Sequence, residues 1–125
     1  MVEIRKLPDA EFEVMKAVWN IGGKVNCNMV MNSLSGDNCW KPQTVLTLLG
    51  RLTQKGFLRT EKHGWERYYS PLISRDEYMK FEVETFAEKF ERQSLVGLAR
   101  AFYDGKKISQ KDLDDLLSWI KEKRE

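Results

Sequence analysis

Side chains able to contact the edges of DNA bases lie close together between positions 41 and 51. Glutamine can bond an adenine edge, threonine can contact a thymine methyl or a phosphate, and lysine or arginine neutralises phosphate. A leucine in the same stretch can pack on a thymine methyl. The residues concerned are Lys41, Gln43, Thr44, Leu46, Thr47 and Arg51. Their types and spacing predict a surface that reads double-stranded DNA, although an ordinary solvated helix face would have a similar composition.

These residues belong to a predicted helix that runs from Pro42 to about Lys55. Proline suits the first helical position because its missing N–H has no partner there, and Gly56 is the expected terminator. An apolar stripe at helical spacing should face the core. It consists of Val45, Leu48, Leu49 and Leu52. The polar residues are therefore expected on the outer side of this helix.

Two more helices are predicted before it. The first should open at Pro8-Asp9 with Asp9 as its N-cap, and paired glycines at 22–23 should end it. Its buried face is expected to hold Phe12, Met15, Val18 and Trp19. A short second helix should begin after Asn26, bury Met31 and Leu34, and end at 35–38. Three helices in this order are typical of a helix-turn-helix protein.

A β-hairpin is predicted directly after the third helix, with strands at 57–62 and 67–71 and a tight loop with glycine at its tip. Positive side chains on the hairpin could reach phosphates, whereas Glu61 and Glu66 should reduce its charge. The positive residues are Arg59, Lys62 and Arg67. Trp65 at the tip could pack on a sugar or shield the hairpin. Helices followed by such a hairpin indicate a winged helix-turn-helix.

The second half of the chain reads as helical to its end. Ser74 should cap a long helix, a shorter apolar segment follows at 95–102, and Ser109 should cap a last helix with Asp112 three positions on. Short helices alone cannot bury so many apolar residues, so they pack either on the winged domain or, as we favour, on a second chain. The expected dimerisation residues are Tyr78, Phe81, Phe86, Phe90, Leu95, Leu98, Phe102, Leu113, Leu116, Leu117 and Ile120.

The predicted fold is therefore mainly α with a small β-hairpin wing, and it divides into two parts. Residues 1–72 form a winged-helix DNA-binding domain, and residues 73–125 form a helical dimerisation domain. Net charge is +2 over the whole chain. The balance is +3 in the first part and −1 in the second, which agrees with DNA contacts in the first part.

Composition excludes several other classes of protein. The two cysteines, Cys27 and Cys39, together with the single histidine, His63, make no zinc framework, and we expect two reduced thiols. There is no catalytic triad, glycine-rich phosphate loop or metal cluster, so we predict no enzyme, cofactor or metal. The sequence has neither a signal-peptide core nor an apolar run long enough to span a membrane, so a cytoplasmic protein without membrane insertion is expected.

Several segments together resemble the BlaI/MecI penicillinase-repressor family across nearly the whole chain. They are the run from Ala10 to Met15 with Trp19, the run from Thr44 to Leu52, Lys55-Gly56-Phe57, and the run from Arg67 to Leu72. The pattern Thr-Val-x-Thr-x-Leu-x-Arg-Leu-x-x-Lys-Gly is quite specific to that family. The C-terminal match rests on hydrophobic pattern and helix count.

The resemblance implies a homodimeric repressor of antibiotic-resistance or related genes, which binds a palindromic operator through its winged helices. It also implies induction by a membrane sensor-protease that detects β-lactam and cuts the repressor in its dimerisation region, at a position corresponding to Ala101–Phe102. Two alternatives stay open: a winged-helix protein-interaction module, and a repressor of the same fold that answers another signal, such as a metal. Copper-responsive relatives carry a cysteine-rich tail, which positions 119–125 lack.

Overall fold

The computed structural model describes residues 4–34, 40–90 and 95–124, and within them three helices precede a two-stranded hairpin and three further helices. The elements are α1 (Asp9–Ile21), α2 (Cys27–Ser33), α3 (Pro42–Gln54), β1 (Leu58–His63), β2 (Glu66–Pro71), α4 (Arg75–Lys89), α5 (Leu95–Asp104) and α6 (Gln110–Lys123). The predicted fold class is confirmed. Among the described residues, no helix is both long and apolar enough to cross a membrane.

The chain divides into two compact units, Met1–Glu84 and Thr85–Glu125, hereafter the N-terminal and C-terminal units. The core of the N-terminal unit is built from the apolar stripes predicted for its helices. The fully or nearly buried side chains include Val14, Met15, Val18, Val30, Val45, Leu48, Leu49, Leu52, Phe57 and Leu58. Phe12, Trp19, Met31 and Leu34 are partly buried and pack against them. The four-residue stripe predicted for α3 is therefore confirmed.

The start of α1 differs in one detail from the expectation. Asp9 is the first helical residue, Pro8 occupies the N-cap position, and no side chain in the described residues caps this end. The prediction that Asp9 is the N-cap was therefore wrong, because Pro8 already supplies the extended backbone that an N-cap residue adopts. The helix stops where glycines were expected, with φ values of 77° at Gly22 and 78° at Gly23.

An ion pair joins α1 to the end of α3 inside this unit. The Nζ of Lys55 donates to Oε1 of Glu11 at 2.5 Å, and the Glu11 side chain is only 5% exposed. Burying a carboxylate is costly unless a cation and hydrogen bonds accompany it. The pairing explains how an acidic residue can sit among the apolar residues of α1, and it fixes the C-terminal end of α3 against that helix.

The hairpin pairs β1 and β2 in antiparallel register from Leu58 opposite Pro71 to His63 opposite Glu66. Its loop is therefore two residues shorter than predicted, with Gly64 at φ 66° and Trp65 beside it. A two-residue turn with glycine at its first position suits the right-handed twist of a hairpin. Val25 exchanges backbone hydrogen bonds of 2.7 and 2.9 Å with Tyr69, which holds the hairpin to the segment before α2.

Tyr78 belongs to the core of the N-terminal unit and not to a surface that a second chain could cover. It is 4% exposed, and its ring lies 5.6–5.9 Å from the rings of four aromatic residues. These are Phe12, Trp19, Phe57 and Phe81. Its inclusion among the dimerisation residues was therefore wrong. This packing also explains why the first compact unit extends to Glu84, beyond the boundary at 72 that the sequence suggested.

The hydroxyl of Tyr78 is satisfied within the same core. It accepts from the backbone N–H of Leu7 at 2.8 Å and donates to Oε1 of Glu82 at 3.1 Å. Burial raises the pKa of this phenol. Ser74 caps α4 as predicted, since its hydroxyl accepts from the N–H of Glu77 at 3.0 Å while the Glu77 carboxylate accepts from the N–H of Ser74.

The helices of the C-terminal unit carry apolar side chains without burying them. Neither α5 nor α6 has a single buried residue among those described. Of the residues predicted to form a dimer, Phe81, Leu98 and Leu113 are half-buried. The exposed members are Phe86, Phe90, Leu95, Phe102, Leu116, Leu117 and Ile120. Their role in dimerisation stays a prediction.

The start of α6 is fixed by the predicted capping box. The Ser109 hydroxyl accepts from the N–H of Asp112 at 3.1 Å, and the Asp112 carboxylate accepts from the N–H of Ser109 at 2.8 Å. These backbone and side-chain hydrogen bonds from Ser109 hold the pKa of Asp112 below its ordinary value of 3.8. A carboxylate bonded in this way stabilises the first turn only while it is ionised.

We expect the cap of α6 to open in acid. The pKa of Asp112 is lower in the folded chain than in the unfolded chain. The stabilisation that its carboxylate gives to the cap is therefore complete above pH 3.8, and it is lost as the pH falls through the lower pKa of the folded state. The amide proton shift of Ser109, followed by NMR during an acid titration, reports the cap directly. Asp112→Asn should remove this titration, whereas Asp114→Asn, two residues further along α6, should leave it in place. A Ser109 shift independent of pH in the wild type would contradict the capping role.

Candidate nucleic-acid interface

The outer side of α3 brings the predicted DNA-contacting residues together. Gln43, Thr44, Thr47 and Arg51 line a shallow depression of about 260 Å³, and the side of the nearly buried Leu48 completes it. Leu46 lies beside this depression and is 42% exposed, although leucine is usually buried. We call this exposed side of α3, with Lys41 at its start, the reading face. It offers amide, hydroxyl, guanidinium and methyl groups to one partner.

Thr47 is already oriented by its own helix. Its hydroxyl donates to the carbonyl oxygen of Gln43 at 2.9 Å, so its proton is used within α3. The oxygen can still accept a hydrogen bond, and the methyl group is free to contact an apolar group. Thr47 is therefore suited to accept from a base amino group or to contact a thymine methyl, the two kinds of group that distinguish base pairs in the major groove.

The first turn of α3 is open to an anion. Lys41 holds the N-cap position in an extended conformation, Pro42 follows, and no side chain among the described residues caps this end. The N–H groups of Gln43 and Thr44 thus lack the intrahelical partners that later residues have. Backbone N–H groups at a helix start, with the exposed Lys41 beside them, favour a phosphate oxygen.

The hairpin sorts its charged residues onto opposite faces. Lys62 and Arg67 are direct cross-strand partners, and Arg67 Nη1 donates to the Thr60 hydroxyl at 3.3 Å on the same face. We call this the cationic face. It continues the side on which Leu58 and Tyr69 are buried against the core. Alternation along β1 places Arg59 on the other face, so the structure does not bring all three predicted cations together.

The two carboxylates of the hairpin lie on that other face, each with a partner. Glu61 contacts Lys24 Nζ at 2.9 Å and His63 Nε2 at 3.0 Å, and the hydrogen bond from Lys24 is the larger cause of its lowered pKa. Glu66 accepts from the Tyr68 hydroxyl at 2.7 Å, which raises the pKa of that phenol. We call this the acidic face. The two carboxylates that were expected to reduce the positive charge of the hairpin therefore lie on the face opposite Lys62 and Arg67.

The remaining predicted features are the two cysteines, the absence of a metal site and the position of proteolytic cleavage. Cys27 is a half-buried free thiol whose pKa is raised by burial, and Cys39 lies outside the described residues, as does the predicted end of α2 at 35–38. In the described ranges, no group of three or more potential ligands could hold a metal ion. Ala101 and Phe102 lie in α5, and both are exposed.

The helices and hairpin of the N-terminal unit define a winged-helix protein with a polar, positively charged reading surface. A family profile described as penicillinase repressor matches residues 7–122. The chain is 31% identical to the penicillinase repressor of Bacillus licheniformis over 98% of its own length and 94% of the relative's. It belongs to the penicillinase repressor family, whose members are DNA-binding transcriptional repressors and not enzymes.

Further relatives agree with this assignment. The methicillin resistance regulatory protein MecI of Staphylococcus aureus (strain N315) is 24% identical, over 94% of this chain and 95% of the relative. The solved DNA-binding domain of the repressor BlaI is 40% identical and covers 62% of this chain and 94% of its own, with a TM-score of 0.53. A Bacillus licheniformis BlaI monomer solved with the blaP half-operator gives 40% identity, the same coverage and a TM-score of 0.50.

Proposed function

We propose that this chain is a homodimeric repressor that binds a palindromic operator and controls genes of the β-lactam resistance type. The reading face of α3 contacts base edges in the major groove, and the cationic face of the hairpin contacts phosphates. The C-terminal helices of two copies form a shared apolar core. Cleavage between Ala101 and Phe102 by a membrane sensor-protease separates the two copies and releases the operator.

The observation that carries the DNA-binding part is the reading face itself. Four polar side chains surround one depression on α3, and the cationic face of the hairpin belongs to the same compact unit. An α-helix fits a major groove, which presents a distinct pattern of donors, acceptors and methyl groups for each base pair. Gln43 and Arg51 have the reach for such contacts, and Lys41 and Arg67 suit the flanking phosphates.

Two relatives support the operator and the class of genes. The BlaI protein seen with the blaP half-operator shares 40% of aligned residues with this chain. MecI is named for the regulation of methicillin resistance. We infer the mode of DNA binding from the first relative and the class of regulated genes from both.

Dimerisation is supported by the apolar side chains left exposed on α5 and α6. Val96, Ala99, Tyr103 and Leu113 line a cleft of about 260 Å³ between these helices, and Leu117 is 52% exposed. Arg100 and Asp104 also line this cleft. Apolar side chains exposed together in this way favour an interaction site, because exposing them to water is unfavourable. A second copy supplies a matching surface by symmetry.

Proteolytic release follows from the position of the proposed cut. Ala101 and Phe102 lie near the end of α5, so cleavage there detaches α6 from the rest of the chain. Without a buried residue in α5, this helix depends on its partner for stability and can open locally to a protease. Loss of α6 then removes Leu113, Leu116 and Leu117 from the proposed interface.

Arg51→Ala and Thr47→Ala should each weaken operator binding by about five- to 150-fold, since a good base contact contributes about 1–3 kcal/mol. Both side chains are exposed, so the free energy of unfolding should change little. The measurement is the dissociation constant for the duplex that the full chain recovers from a random duplex library. Lys107→Ala, exposed in the C-terminal unit, is the control and should bind as the wild type does.

The salt dependence of the same measurement decides between the proposal and a protein-interaction module. Phosphate contacts make the logarithm of the binding constant fall linearly with the logarithm of salt concentration. Failure to recover any duplex, or an affinity that ignores salt, would favour the interaction module. Wild-type affinity in both the Arg51 and Thr47 variants would reject α3 as the reading helix.

A further inference from the structure

The tip of the hairpin exposes a tryptophan that the reading face does not use. Trp65 is 100% exposed, the largest exposure of any bulky apolar side chain among the described residues. It therefore does not shield the hairpin, which was one of the two roles its position suggested. A fully exposed indole offers a large apolar surface together with one N–H donor, a combination that suits contact with a partner that is apolar on one side and polar on the other.

The hairpin holds this side chain on a rigid support. The turn contains only Gly64 and Trp65, and glycine takes the positive φ of 66° that the turn needs. Trp65 itself keeps a negative φ, an unstrained conformation for an L-residue. On the other side, Val25 binds β2 through two backbone hydrogen bonds. Little backbone conformational entropy is then lost when a partner binds the tip.

The charges around the tip show the chemistry of that partner. Lys62 and Arg67 face each other across the strands although like charges in that position repel, and neither makes an ion pair in the described part of the chain. The nearby carboxylates Glu61 and Glu66 are bonded on the acidic face. A surface that joins two unpaired cations to one free indole is complementary to a polyanion with apolar parts.

We propose that Trp65 is a further DNA-contacting residue, which packs its indole on the deoxyribose walls of the minor groove while Lys62 and Arg67 bind the adjoining phosphates. This inference rests on the DNA binding proposed above. Because α3 and the hairpin belong to the same compact unit, we place the hairpin tip at the DNA strand and minor groove that flank the major groove bound by α3. Sugar walls are the apolar surface there, and apolar side chains commonly enter that groove.

The test uses the full chain, the duplex recovered from the random library, and the variants Trp65→Ala, Trp65→Phe and Lys62→Ala. Trp65→Ala should raise the dissociation constant about tenfold, a loss near the lower end of that found when aromatic side chains stacked on bases are replaced by alanine. Because the indole carries no charge, the slope of affinity against salt should stay unchanged. Lys62→Ala should instead reduce that slope by about one phosphate contact. Trp65→Phe should recover most of the lost affinity.

Hydroxyl-radical footprinting locates the contact, because these radicals attack deoxyribose in the minor groove. The wild type should protect a short group of sugars beside the α3 site, and Trp65→Ala should lose only that protection. Unchanged affinity in Trp65→Ala, or protection that persists without the indole, would overturn the proposal while leaving the reading helix intact. Absence of salt-dependent duplex binding by the wild type would overturn the proposed function and this inference together.

Discussion

Replacing Tyr78 by alanine is expected to lower the free energy of unfolding of the N-terminal unit by about 3–5 kcal/mol, the usual cost of removing a buried aromatic side chain. The ring contacts α1 through Phe12 and Trp19 and the segment between α3 and β1 through Phe57, all at centroid distances below 6 Å. Its removal leaves a cavity among three elements at once. Urea unfolding, followed by the far-UV circular dichroism of the helices, measures the change.

Two further variants separate the parts of this effect. Tyr78→Phe keeps the ring but leaves the buried N–H of Leu7 without its acceptor, at a cost of about 1–3 kcal/mol. Met79→Ala is the control, since Met79 follows Tyr78 in α4 and is 56% exposed. If Tyr78→Ala destabilised the chain no more than Met79→Ala does, the place of Tyr78 in the core would be contradicted.

Tyr78 also shows where reasoning from sequence stops. Helical spacing correctly placed Tyr78 and Phe81 on an apolar face of α4, but spacing does not say which partner covers that face. The partner is α1, which reaches it through Phe12 and Trp19. By contrast, the buried stripe of α3 could be predicted in full, because Pro42 and Gly56 marked both ends of the helix.

The hairpin gives a second case in the candidate site. Its cations and carboxylates could be read from the sequence, and their sorting needed only the register. The predicted strands at 57–62 and 67–71 already place Lys62 opposite Arg67, but only the total charge of the hairpin was inferred from them and not the charge of each face. The observed register pairs Lys62 with Arg67, and the period of two along each strand separates these cations from Glu61 and Glu66. The contribution of Lys24 comes from a distant segment, which no local pattern indicates.

Ending the chain after Ala101 is expected to weaken operator binding by about a hundred- to ten-thousand-fold, because two linked N-terminal units bind one operator far more tightly than separate units do. The truncated chain keeps the whole N-terminal unit and loses α6 with Leu113, Leu116 and Leu117. Sedimentation should shift from dimer to monomer, while each N-terminal unit still folds and still shows salt-dependent binding to a half-site. Leu117→Glu with Ile120→Glu in the full chain should reproduce both changes.

A replacement of the C-terminal unit tests whether linkage is its whole contribution to affinity. Residues after Glu84 would be exchanged for a parallel coiled coil, attached by flexible linkers of increasing length. Half-sites lie about 34–36 Å apart or at multiples of that distance. Operator affinity should therefore return once the linkers are long enough to span this distance, and it should decline slowly as they are lengthened further. The same fusion carrying Arg51→Ala should stay weak. Wild-type operator affinity in the monomeric truncated chain would show that dimerisation through the C-terminal unit contributes nothing to operator affinity.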